Sequence, residues 1–203
     1  MKPFKHQTVF VAATGASLTS AVAELLRGQH VIAVNDAFKL LPFADLLYAC
    51  DAKWWEVHNG CMDFAGERWS THEIGGSNDK RAIAKKYGVS LIAGRSGDKF
   101  RTDGTIAYGS NSGFQAIGLA IWLGAARIVL VGFDMRDIAG KRHFFGDHPK
   151  PLRNGGCFCA WLRVFAKAAK RVPPGVEIVN ATSGSALMVF PLVSLEAECA
   201  SLR

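Results

Sequence analysis

Short apolar runs that break on polar residues recur along this chain, separated by helix-length stretches. That alternation restricts it to a wound, mostly parallel α/β sheet. Residues 9–13, 31–34, 46–50, 89–93, 127–131 and 176–179 read as strands, with a weaker one at 69–74. Residues 17–27 have helical periodicity (Leu18, Ala21, Val22, Leu25, Leu26), with Ser17 as the expected N-cap. Further helices are expected at 80–87, 111–123 and 154–171, and a short one follows Phe190. Residues 54–77 are less regular, and 94–110 read as a long glycine-rich loop of the kind that is usually functional or mobile. Strands alternating with helices imply right-handed crossovers. The expected fold is a doubly wound, Rossmann-like sheet with helices on both faces, one domain over residues 1–203.

Composition narrows the class. Hydrophobic residues make up 49% and charged residues 20%, which is globular rather than disordered. No run is long enough to span a bilayer and none resembles a signal segment, so a cytoplasmic protein is expected. The cysteines at 50, 61, 157, 159 and 199 have no zinc spacing and read as reduced thiols; on a helix, Cys157 and Cys159 would sit on different faces. The net charge of +7 suits a phosphate-bearing partner: a nucleotide, a lipid head group or a nucleic acid.

In an open parallel sheet, ligands lie outside the carboxyl ends of the strands, and polar residues at those ends are the candidates. Gly15-Ala16-Ser17 is a turn that could approach an anion and offer it a helix N-terminus. It is neither Gly-x-Gly-x-x-Gly nor a Walker loop. Asn35, Asp36 and Asp51 end the next two strands, where ribose hydroxyls are commonly bound; Asp36 could instead cap a helix. Asn111-Ser112-Gly113 opens a second helix and is a second place for phosphate or sugar oxygens. Asp134 ends the strongest strand. Residues 141–149 hold Arg142, His143, Asp147 and His148, with histidine as the expected general base and Asp147 as an orienting carboxylate. A metal site drawn from Asp134, His143, Asp147 and His148 matches no standard spacing and is the minor alternative. His6, His30, His58 and His72 read as structural or surface residues.

Thr14-Gly15-Ala16-Ser17-Leu18, Val34-Asn35-Asp36-Ala37-Phe38, residues 109–113 and Val131-Gly132-Phe133-Asp134 together resemble two related families. One is the small bacterial sialyltransferases that use a CMP-sugar donor. The other contains 6-hydroxymethylpterin diphosphokinase, and phage-encoded proteins look similar. The resemblance covers most of the chain and is weakest from about 54 to 105. It implies nucleotide contacts by Gly15 to Ser17, Asn35, and Asn111 to Gly113, and His148 as the catalytic base. The family's turn proline is Ala16 here and its earlier glycine is Ala13. Where the family has two phosphate-holding tyrosines, this chain has Met135, Arg136 and Arg142, so either arginine takes their place or the donor differs.

The leading expectation is a glycosyltransferase needing no metal or other cofactor, moving a sugar from a nucleotide donor to an acceptor hydroxyl. The alternative is a diphosphotransferase using ATP and Mg²⁺ held by Asp36, Asp51 or Asp134. A third reading is a nucleic-acid-binding module using the basic stretch 80–86 and Trp54, Trp55 and Trp69, and a hybrid would have DNA as acceptor. A homo-oligomer is compatible with all of them.

Overall fold

The computed structural model describes residues 2–73, 79–152 and 157–202. Its strands are β1 (Thr8–Ala12), β2 (Val31–Val34), β3 (Leu46–Tyr48), β4 (Glu67–Glu73), β5 (Ser90–Arg95), β6 (Ile106–Ala107), β7 (Arg127–Val131) and β8 (Glu177–Asn180). Its helices are α1 (Ser20–Leu25), α2 (Ala52–Val57), α3 (Asp79–Tyr87), α4 (Ser112–Trp122), α5 (Phe158–Ala169) and α6 (Leu195–Ala200). All strands join one parallel sheet in the order β6-β5-β4-β3-β2-β1-β7-β8. The fold is the α/β, Rossmann-like one that the alternation predicts. No helix among the described residues is long and apolar enough to cross a membrane.

The central strands are apolar on both faces because both faces are covered. Along β1, Val9 and Val11 pack with α4 and α5, whereas Phe10 and Ala12 pack with α1, α2 and α3. Helix α4 is apolar apart from Ser112 and Gln115, and its residues from Gly113 to Ile121 are buried, the pattern of a core helix. Helix α5 is amphipathic and buries Phe165 and Ala168. From β1 the chain winds outward to β6, then returns through α4 to β7 on the other side of β1. The crossovers therefore diverge between β1 and β7, and a crevice opens at their carboxyl ends.

Several boundaries differ from the sequence reading. Helix α1 starts at Ser20 with Thr19 as its cap, not Ser17, because the chain after β1 first makes a turn held by other strands. Residues 94–110 contain β6, too short to give a periodic signal. The irregular stretch after Asp51 holds α2. The helix expected from 154 starts at Phe158; residues 153–156 lie outside the described residues, as does Ile74 of the expected strand 69–74. Cys157 and Cys159 are disulfide-bonded rather than reduced thiols. Cys157 is an extended cap residue (φ −102°, ψ 120°), so the separation of helix faces does not apply, and the Cα atoms are 5.3 Å apart, within disulfide range. Cys50, Cys61 and Cys199 form no disulfide among the described residues.

Candidate functional site

A cavity of about 520 Å³ opens at the crevice between β1 and β7. It brings together Gly15, Asn35, Asp51, Asn111, Ser112, Gly113, Asp134, Arg142, His143 and His148 of the residues expected from sequence. Ala16, Ser17, Asp36, Arg136 and Asp147 are not among its lining residues.

The first turn is bound to its own protein. Gly15 donates its N–H to Gly132 O (3.0 Å), and Ser17 donates its N–H to Asp134 Oδ2 (3.0 Å). A Cβ on Gly15 would stand 2.0 Å from Asp134 Oδ2 and 2.4 Å from Gly132 O. Glycine is needed here so that the strand ending in Asp134 can dock under the turn. An internal carboxylate thus occupies a donor that the sequence reading offers to a phosphate. Asp134 is buried, and its Oδ1 has no hydrogen-bond partner among the described residues. Ser17 lies in a neighbouring depression with Gly132, Thr182 and Ser194.

The second turn is open to the cavity. Ser110, Asn111, Ser112 and Gly113 all line it, and α4 follows at once. Asn111 Oδ1 accepts from Phe114 N (3.0 Å), which caps the helix with one amide and leaves its positive dipole end at the cavity wall. Behind it, Tyr48 donates to Gln115 Oε1 (2.6 Å) and Gln115 Nε2 donates to Tyr108 O (2.9 Å), fixing the floor. Cys50 Sγ lies 3.0 Å from Ser112 Oγ. Burial and the Asp51 charge push the Cys50 thiol up to about 12, so it is no thiolate nucleophile near neutrality.

The histidine loop is laid over the first turn. Phe144 donates its N–H to Thr14 O (3.0 Å), and His143 Nδ1 is 2.9 Å from Thr14 Oγ1. The His143 ring stacks on Phe145 with centroids 5.1 Å apart and lies 4.8 Å from the His148 ring. His148 Nδ1 stands 3.6 Å from Asp36 Oδ2. Asp36 is fully buried, with Lys39 Nζ at 2.6 Å, Trp54 Nε1 at 2.8 Å and His58 Nε2 at 3.0 Å. Burial pushes this carboxyl up, but His58, Lys39 and Trp54 more than reverse that and hold it well below the usual carboxylate range. Burial lowers the pKa of His148, against the pull of Asp36. Burial, with His148 and Arg142, pushes His143 down to about 4. Both imidazoles are therefore neutral at pH 7 and able to accept a proton.

Asp36 thus stands where the sequence reading put Asp147. Asp147 is exposed, because adjacency in sequence does not aim a carboxylate at its neighbour's ring. Arg136 is exposed and lies near Gly184, away from the cavity. Arg142 reaches it, its guanidinium 4.5 Å over the Phe158 ring and 3.5 Å from Asp137. Asp134, His143, Asp147 and His148 do not form a metal site: no three His, Cys, Asp or Glu side chains among the described residues are placed to hold an ion. Trp54 and Trp55 are core residues, and Trp69 packs on Trp122. Sequence reasoning missed Phe158, Trp161, Tyr108, Gln115 and the role of His58. The signal for His58 was its i+4 spacing from Trp54, whose ring it stacks on at 4.1 Å.

Comparison of the chain with protein families, characterised proteins and solved structures finds no match.

Proposed function

We propose that the protein is a transferase that moves a group, in the sialyltransferase-like reading a sugar, from a nucleotide-activated donor to an acceptor hydroxyl. The observation that supports it most is that His148, backed by the buried Asp36 carboxylate at 3.6 Å, lines the same cavity as the open N-terminus of α4. The donor phosphate would lie on Ser112 and Gly113, with Lys80 and Arg142 beside it. His148 would take the proton of the acceptor hydroxyl as its oxygen attacks the donor carbon. The bond from that carbon to the phosphate oxygen breaks, and the electron pair leaves with the nucleotide. The cations and the helix end stabilise that developing charge. Asp36 is a positioning residue, acting through its charge on the His148 ring from 3.6 Å.

The diphosphotransferase alternative needs Mg²⁺ between phosphates. Of its three candidate carboxylates, Asp36 is engaged by Lys39, Trp54 and His58, and Asp134 spends one oxygen on Ser17, leaving Asp51 and the other oxygen of Asp134 at the cavity.

A thermal-shift panel of CMP, CDP, UDP, GDP, ADP and ATP, with and without Mg²⁺, tests the reading. A ligand at 100 times its Kd adds about 2.7 kcal/mol of stability. A Mg²⁺-independent response to one nucleoside mono- or diphosphate is expected; a response confined to ATP with Mg²⁺ would favour the diphosphotransferase. His148→Ala should then lower transfer by about 10²–10⁴-fold and leave nucleotide binding intact. Asp36→Asn should move the acid limb of the rate to lower pH, because it removes the charge that raises the His148 pKa. An unmoved limb would reduce Asp36 to a structural role.

A further inference from the structure

We propose that the outer face of α5 is the binding track for a single-stranded nucleic acid. On the transferase reading, which this extends, that nucleic acid carries the acceptor hydroxyl into the cavity. Arg163, Lys167, Lys170 and Arg171 are all exposed, and residues 157–171 contain no Asp or Glu. Arg163 and Lys167 are one helical turn apart on the face of α5 opposite the buried Phe165, Lys170 is the helix C-cap, and Arg171 follows in the turn after it. Asp98 stands against them, 3.0 Å from Lys167 Nζ, and Arg163 Nε donates to Cys159 O at 3.2 Å. The row stays strongly cationic after both contacts.

Its position gives the row a direction. The first turn of α5 supplies Phe158 and Trp161 to the cavity wall, and the Arg142 guanidinium lies over Phe158. Positive charge therefore stands at the cavity mouth, on Arg142, and again along the outer face of the helix that forms the cavity wall. The half-buried Trp161 lies on the same side of α5 as Phe165, well round the helix from the row, so a base stacks on it only where the strand turns from the outer face into the cavity. A polyanion with stacking bases fits this arrangement. A lipid surface fits it less well, because the large exposed apolar side chains, Met62, Met188, Val189, Leu192 and Leu202, lie on other elements and none is on α5.

The test is fluorescence anisotropy of labelled single-stranded DNA and RNA oligomers of about 15 nucleotides over a salt series. The full chain is compared with the triple variant Arg163→Glu, Lys170→Glu, Arg171→Glu, which spares the Lys167–Asp98 pair. A second triple variant, Arg81→Glu, Lys85→Glu, Lys86→Glu, makes the same charge change on α3, on the opposite face of the sheet. Losing three phosphate contacts at about 0.7 each should shrink the slope of log K against log salt by about 2 for the α5 variant. Affinity should fall at least about tenfold, with little change for the α3 variant. The inference is overturned if the full chain binds neither oligomer at low salt, if both variants lose affinity equally, or if the α5 variant loses only its binding to phosphatidylserine vesicles. His148→Ala keeps the two proposals apart, since it should lower transfer by about 10²–10⁴-fold and leave oligomer binding unchanged. Oligomer binding through α5 without any nucleotide response would sink the transferase reading and leave the track standing.

Discussion

Two glycine- and serine-rich turns stand at the carboxyl edge of the sheet, and they use their amides differently. In Gly15-Ala16-Ser17 the amides of Gly15 and Ser17 bond to Gly132 O and Asp134 Oδ2, and α1 begins only at Ser20. In Ser110-Asn111-Ser112-Gly113 the turn runs straight into α4, and all four residues line the cavity. Both are small-residue turns before a helix, so sequence assigns them one role. The structure separates a turn whose amides join two strands from a turn that faces the cavity. The discriminating residue is Asp134, which reaches the first turn from 117 positions away.

The largest expected effect breaks or sustains that contrast directly. Gly15→Ala places a methyl 2.0 Å from Asp134 Oδ2 and 2.4 Å from Gly132 O. Overpacking of this kind costs about 3 kcal/mol, at the upper end because backbone is involved. Gly113→Ala meets the Phe133 ring at 2.8 Å, but it also gains the helix preference of alanine, about 1 kcal/mol. Its net loss should be under about 1 kcal/mol, with nucleotide binding weakened more than stability. Denaturant unfolding of the two variants gives the answer, and equal losses would remove the distinction.

The next expected effect is acid sensitivity, which belongs to the first turn through His143 and its bond to Thr14. Burial, His148 and Arg142 place the His143 pKa at about 4 in the folded chain, whereas Asp36 pulls it up. A free imidazole titrates near about 6.5, so the unfolded chain binds the proton more readily. The stability from neutral His143 is therefore complete above about pH 6.5 and lost as pH falls towards 4. Asp36 is held below its unfolded value, so its stability is present above about pH 3.9 and lost only as pH falls further. The two windows do not overlap. His143→Gln should reduce the upper decline to the part that His148 contributes and leave the lower one, read as unfolding midpoints from pH 7 downwards. A decline unchanged by His143→Gln would place the sensitive group elsewhere.

Much of the architecture was legible because it is local. Apolar runs such as Arg127–Val131 and the mostly apolar α4 show their burial in their own sequence. The strand ends also placed Asn35, Asp51, Ser112 and His148 at one edge without any contact being known. What stayed illegible depends on long-range pairing. Asp36 looks like a strand-end carboxylate, yet it points into the core because Trp54 and His58, on and beside α2, converge on it. Asp147 looks like the partner of His148 and is exposed. Cys157 and Cys159 look mismatched for a disulfide only if both are assumed helical.

The smallest effect distinguishes the cap residues of the two turns. Asn111 Oδ1 accepts from Phe114 N at 3.0 Å, so Asn111→Ala should cost about 1 kcal/mol. Thr19, accepting from Val22 N at 3.2 Å, caps the shorter α1 and is exposed, which places Thr19→Ala at the low end of the same range, about 0.5 kcal/mol. Ser17 caps nothing. Its amide is what holds Asp134, and its hydroxyl is buried without a hydrogen-bond partner among the described residues. Ser17→Ala keeps the amide and removes only an unsatisfied oxygen, so stability should change by less than about 0.5 kcal/mol and could rise. Nucleotide binding should not change. A loss on the scale of Asn111→Ala would mean that the hydroxyl of the first turn has a bound partner, and the two turns would then be alike after all.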